Sequence, residues 1–236
     1  MVDGWLPEVH PSPNIQGDPD LYEIENRAID PTGALRAALA RIAPLTDRVV
    51  ADVGAGTGFW VPELAVDARH VFAVEPHGPS RVRIMARLAA EGVERASVVA
   101  GSAARTHLSG SSVDVVLARF AYFWGPGCEP GLAEAQRILR PGGTVAIIDN
   151  DLRTGRFAEW VQGIYPREPD AIDAFWAARG FQAESVRSSW RFECRDHLER
   201  VVALEFGAHA PRLLARHEGL DIEVVYRVFW RRFGRR

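Results

Sequence analysis

At 236 residues, with 47% hydrophobic and 25% charged side chains, the chain has the makeup of one large globular domain, which excludes long disorder and fibrous repeats. A formal net charge of −3 provides no electrostatic footprint for nucleic acid, because phosphate contacts need clustered positive charge. All 28 basic side chains are arginine, so no amine side chain exists for a Schiff-base or Walker-type enzyme.

Met1 to Asn14 carries Asp3, Glu8 and three prolines without a basic flank or apolar centre, unlike a signal peptide. No apolar run reaches membrane-spanning length. Cys128 and Cys194 are too few and too far apart for a disulfide framework or zinc pattern, so a soluble, reduced, cytoplasmic protein is expected. The Ala, Gly, Pro and Arg bias fits a bacterial source. His10 to Asp20 reads as an extended arm. A short helix is predicted over Leu21 to Asn26, and a second follows Pro31-Thr32-Gly33, with Leu35, Leu39 and Ile42 on one face before Pro44 ends it.

Arg48-Val49-Val50-Ala51-Asp52-Val53 is a short apolar run closed by glycines, which predicts a strand buried on both faces of a parallel sheet. Helix and strand then alternate. Helices are predicted at Phe59 to Asp67, Ser80 to Glu91 and Pro130 to Leu139. Strands are predicted at His70 to Glu75, Ala96 to Ala100, Val113 to Ala118 and Thr144 to Asp149, with Arg140-Pro141-Gly142-Gly143 as a turn. Such alternation means βαβ units. Past Asn150 come a helix at Asp170 to Arg179, a strand over Phe181 to Phe192, helical stretches at Asp196 to Phe206 and Pro211 to His217, and a final strand at Ile222 to Trp230. The expected fold is α/β: a Rossmann-like, doubly wound, mostly parallel seven-stranded sheet with helices on both faces and a helical insertion near the C-terminus. Residues 1–44 form the N-terminal arm and helices, 45–150 the core, and 151–236 the remainder of the same domain.

Asp52-Val53-Gly54-Ala55-Gly56-Thr57-Gly58 joins a buried strand to a helix, where glycines let backbone approach a ligand. Glu75 ends the next strand, where a carboxylate can accept from both hydroxyls of an adenosine ribose. A single residue separates the second and third glycines and Phe59 follows, so the spacing departs from the dinucleotide fingerprint and a pyrophosphate is less expected.

Val50 to Gly58 and Val74-Glu75-Pro76 resemble the first and second motifs of class I S-adenosylmethionine-dependent methyltransferases. Ser109 to Val116 and Arg137 to Thr144 are similar to that family's approach to strand four and turn into strand five. The resemblance spans roughly residues 45 to 150. It implies S-adenosyl-L-methionine as cofactor. Asp52, Gly54, Ala55 and Gly56 would line its methionine part, and Glu75, followed by Pro76, would hold its ribose. Ala118 and Arg119 would lie beside it. Many relatives place an aspartate after the third strand to meet adenine; here Ser102 and Ala103 stand there, by hydroxyl or backbone amide. Tyr22 would cap the cofactor from the N-terminal segment. Methyl transfer by in-line displacement to a small-molecule acceptor is the activity implied, with neither nucleic acid nor membrane as partner and oligomeric state open.

A general base is needed only if the acceptor must shed a proton, and Asp151 and His209 are weak candidates. Asp149-Asn150-Asp151 serves substrate contact or backbone satisfaction equally well. His77 is placed near the cofactor's edge, and no metal spacing is present among the histidines. Phe120, Tyr122, Phe123 and Trp124 are read as an acceptor pocket, and Arg231, Arg232, Arg235 and Arg236 as a solvated end. The competing readings are a non-catalytic nucleoside-binding module and a nicotinamide-dependent oxidoreductase.

Overall fold

The computed structural model describes residues 9, 15 and 17–234. Met1 to Asn14, read as unlike a signal peptide, and the first part of the arm predicted over His10 to Asp20 thus lie almost wholly outside the described residues, as do Arg235 and Arg236. Ile15 and Gly17 have helical backbone, where an extended arm was expected.

Helix α1 (Pro19–Ala28) starts under Asp18, whose side chain accepts from the Leu21 amide at 2.9 Å, with a proline in the first turn where its missing N–H costs nothing. Helix α2 (Ala34–Ile42) buries Leu35 and Leu39. The alternating unit then runs β1 (Val49–Val53), α3 (Val61–Asp67), β2 (His70–Glu75), α4 (Gly78–Ala90), β3 (Ala96–Ala100), β4 (Val113–Arg119), α5 (Glu129–Ile138) and β5 (Leu139–Asn150). Beyond it lie α6 (Arg156–Ile164), α7 (Pro169–Ala177), β6 (Gln182–Arg191), α8 (Arg195–Phe206), a 3₁₀ turn (Gly207–His209), α9 (Ala210–Leu214) and β7 (Asp221–Arg232).

The seven strands form one sheet in the order β3-β2-β1-β4-β5-β7-β6; β7 runs antiparallel to both neighbours and the pairs among β1 to β5 are parallel. The order reverses between β1 and β4, so the crevice beyond their carboxyl ends is where a ligand belongs in such a sheet. Two apolar layers sandwich the sheet. Val50, Val71, Ala73, Val115, Leu117, Ala146 and Ile148 face the layer built from α1, α2, α3, α6 and α8. Val49, Ala51, Val53, Val116, Ala118, Val145 and Ile147 face α5 and α7. Helices α8 and α9 form the insertion between the sixth and seventh strands, as the sequence predicts.

Two expectations need correction. Arg140 to Gly143, predicted as a turn, lies within β5: Leu139 pairs with Val113, the register shifts at Val113/Val115, and the Phe233 amide donates to the Gly143 carbonyl at 2.9 Å. Pairing on both sides recruits a segment whose local chemistry reads as punctuation. Helix α6 was not anticipated, although Phe157, Trp160, Val161 and Ile164 follow the spacing of an apolar helical face. Its Phe157 and Trp160 rings stack edgewise on Phe206 of α8, both with centroids 5.7 Å away.

Candidate functional site

At the carboxyl end of β1 the chain turns through Gly54, Gly56 and Gly58, all at positive φ (76°, 59° and 76°). Two of these positions also have no room for a side chain. A Cβ at Gly54 would lie 2.5 Å from that of Ala121, and one at Gly58 2.9 Å from Ile84 Cγ1. Glycine is therefore required by both conformation and crowding. The loop after β4 meets this turn with strain of its own, since Phe120 and Tyr122 adopt φ of 51° and 57°, a conformation side-chain-bearing residues hold only where surroundings impose it.

Glu75 closes the turn from the neighbouring strand. Its Oε2 accepts from the Gly56 amide at 2.8 Å and its Oε1 from the His77 amide at 2.9 Å. Burial pushes its carboxyl up to about 7, against those two hydrogen bonds. Each oxygen keeps a second lone pair for a ligand hydroxyl. Asp52, next to last in β1, is 6% exposed; burial raises it to about 6 while Arg119 pulls the other way. The Pro76 carbonyl is taken by Arg81 at 2.7 Å, which fixes the end of β2. His77, buried, pairs through Nδ1 with Ser80 Oγ at 2.8 Å, and burial, helped by Arg81, lowers its pKa.

After β3, Ser102 is buried and its Oγ has no partner among the described residues. The expectation that the Ser102 amide serves a ligand is corrected, because it donates to the Arg105 carbonyl at 3.0 Å. That leaves the hydroxyl and the Ala103 backbone on this side.

Tyr22 lies on α1 against the glycine turn, its hydroxyl 3.8 Å from where a Gly56 Cβ would stand; burial pushes it up to about 12. Arg119 ends β4 with its guanidinium 4.6 Å from the Trp60 ring centroid, and donates to Asn26 Oδ1 at 3.1 Å. It thereby ties α1 to the sheet. The aromatic group after β4 divides: Phe123 is core, Phe120 and Tyr122 are half-buried, and Trp124 is 60% exposed, so the four do not line one pocket.

Neither weak base candidate joins this constellation. Asp151 is buried, but Oδ2 accepts from Ser185 Oγ at 2.5 Å and Oδ1 from Arg153. His209 is exposed, its ring packed edgewise near Tyr165 at 6.5 Å. Sequence reasoning missed Glu25 and Asn26, which stand beside Tyr22 on α1. Their spacing of three and four residues from Tyr22 was the available signal.

Comparison with known proteins places this geometry. A family model described as a methyltransferase domain matches residues 50–143, the stretch holding the glycine turn, Glu75, Ser102 and Arg119. Residues 50–143 are thus similar to a methyltransferase domain. An uncharacterized methyltransferase of Mycobacterium tuberculosis is 32% identical to the chain over 129 residues, covering 53% of the chain and 48% of that protein. The chain spans about half the length of the curated relatives it matches. A putative methyltransferase of Bacillus halodurans superposes with a TM-score of 0.63 at 18% identity, covering 84% of this chain and 98% of its own. The cyclase SpnF superposes at 0.60 with 14% identity, covering 86% of this chain and 81% of its own. Those two likenesses establish the shared fold. Among the described residues no helix is long and apolar enough to cross a membrane, and no His, Cys, Asp or Glu cluster would hold a metal.

Proposed function

We propose that the protein is an S-adenosylmethionine-dependent methyltransferase acting on a small-molecule acceptor. The observation that carries this reading is the positive-φ glycine turn at β1 with buried Asp52 and Glu75 near the carboxyl ends of adjacent strands on the same sheet face. The residues fit an adenosyl ligand. The unpartnered Ser102 hydroxyl and the Ala103 backbone would meet adenine, and Glu75, held by two backbone amides, would accept from the ribose hydroxyls. Gly54, Ala55 and Gly56 would let the methionine portion approach the backbone, with Asp52 beneath, Ala118 and Arg119 beside it, and Pro76 keeping the end of β2 in place.

When bound, S-adenosylmethionine supplies an electrophilic methyl group on a sulfonium. The chain's own contribution is alignment and exclusion of water. Helix α1 covers the glycine turn, with Tyr22 against Gly56, and the insertion helix α8 packs beside α1 through the layer containing Leu21, Leu198 and Val202. The acidic balance of the chain favours a small acceptor over nucleic acid. Calorimetric and thermal-shift titration with S-adenosylmethionine, S-adenosylhomocysteine and NAD tests the reading. Selective stabilisation by the two adenosyl ligands is expected, and a larger response to NAD would overturn it.

A further inference from the structure

Polar residues at the carboxyl edge of the sheet run in strand order: Ser102 past β3, Glu75 at β2, Asp52 at β1, Arg119 at β4 and Asn150 at β5. The alternation of the two apolar layers puts Glu75, Asp52, Arg119 and Asn150 on one face, the one covered by α1 and α8. Most of the proposed cofactor residues occupy the β3-to-β1 half of this edge, with Ala118 and Arg119 of β4 at its border. On the β4 and β5 half lie polar atoms that reading leaves without a partner.

Glu25 comes one helical turn after Tyr22 on α1 and is 7% exposed. Its Oε2 is buried and takes no hydrogen bond among the described residues; the same holds for Arg119 Nη1 as donor and Asn150 Oδ1 as acceptor. Glu25 and Arg119 interact electrostatically, yet no ion pair closes between them among the described residues. A buried donor left unmade beside buried acceptors is costly in a core and is the arrangement expected of groups that meet a polar ligand.

We propose that Glu25 is the proton-accepting catalytic residue, and that the acceptor is a small molecule presenting a hydroxyl to Glu25 Oε2 and a neighbouring oxygen to Arg119 Nη1. This rests on the methyltransferase reading. A neutral amine attacks a methyl without prior loss of a proton, whereas a hydroxyl gains nucleophilicity from a base, so a buried carboxyl at this place selects oxygen. The acceptor oxygen forms its bond to the methyl carbon as the carbon–sulfur bond breaks. That bond's electron pair leaves with sulfur, and the hydroxyl proton passes to Glu25. Among the described residues, Arg119 on β4, Glu205 on α8, Tyr22 on α1 and Tyr226 on β7 act on this carboxyl. Burial, reinforced by Glu205 and opposed by Arg119, holds Glu25 well above the usual carboxylate range.

The test uses the full chain with catechol, salicylate and lactate as hydroxyl probes, each carrying a second oxygen nearby, and aniline and benzylamine as amine probes. Glu25→Gln should bind S-adenosylmethionine within about threefold of the parent, lose about 10²–10⁴-fold in kcat on whichever hydroxyl probe the parent methylates, and lose the acid limb of the kcat profile. Glu25→Asp keeps a carboxyl, so it should retain that limb at reduced kcat, and it answers if the Gln variant does not fold. Three results overturn the assignment: loss of cofactor affinity by about tenfold or more in Glu25→Gln, which would make Glu25 a cofactor ligand; unchanged kcat in that variant; or no turnover of any hydroxyl probe by the parent. Failure of the parent to bind S-adenosylmethionine instead sinks the methyltransferase reading before any variant is made.

Discussion

The two halves of the site are built by different means. Around β1 and β2 the proposed ligand-facing surface is mostly backbone, shaped by glycines at positive φ and closed by one carboxylate, Glu75, whose two oxygens clamp Gly56 and His77. Around β4 and β5 it is side chains, with Glu25, Arg119 and Asn150 coming from three separated segments and Arg119 held by Asn26 and the Trp60 ring. Backbone surfaces tolerate little substitution and are suited to a fixed ligand, while side-chain surfaces can be exchanged without disturbing the fold. A fold shared with a cyclase at 14% identity accords with function residing in the exchangeable half.

The largest expected effect tests the backbone half. Gly54→Val would place a β-branched side chain at φ 76° against Ala121, and a loss of about 3 kcal/mol or more in folding stability is expected, combining left-handed strain with the clash. That is a fall in melting temperature of roughly 6–12 °C at about 2–4 °C per kcal/mol. An unchanged melting curve would show that the turn relaxes easily.

Next comes ligand linkage. Saturation with S-adenosylhomocysteine at about a hundred times its dissociation constant should add about 2.7 kcal/mol to the parent and almost nothing to Glu75→Ala. Equal stabilisation of both would remove Glu75 from the site.

A smaller effect follows from pH. Glu75 and Asp52 have folded pKa values raised by burial to about 7 and about 6, so between pH 4.5 and 7 the folded state binds more protons than the unfolded one. Stability from these groups is present at the acid end of that window and is lost as pH rises through the folded values. The unliganded protein should lose about 1–3 kcal/mol between pH 5 and 8, and Glu75→Gln should flatten part of that slope, as measured by urea unfolding at each pH. A stability rising across the same interval would contradict the burial of both groups. Smallest of all, Arg41→Ala breaks an exposed ion pair with Glu184 and should change stability by no more than about 0.5 kcal/mol, serving as a baseline for the other variants.

The backbone half was legible because its signals are local. Positive-φ glycines follow an apolar run within a few residues, and Glu75 ends the next run at a readable spacing. The side-chain half was not, since Glu25 and Arg119 are separated by more than ninety residues and no local pattern marks their meeting. The base candidates Asp151 and His209 came from position along the chain alone. Asp151 proved to be bonded to Ser185 and Arg153, and His209 lies on an exposed turn. Helix α6 shows a different failure: its apolar spacing was present, but the irregular stretch after Asn150 hid it.

By itself the sequence determined the parallel core, the glycine turn and the carboxylate that closes it, because buried apolar strands and left-handed glycines obey short-range sterics. Only the tertiary structure decided that Arg140 to Gly143 joins a strand and that the Ser102 amide is already spent. It also decided which buried polar atoms remain unpaired on the face under α1 and α8, since pairing depends on what the packed neighbours bring within hydrogen-bond reach.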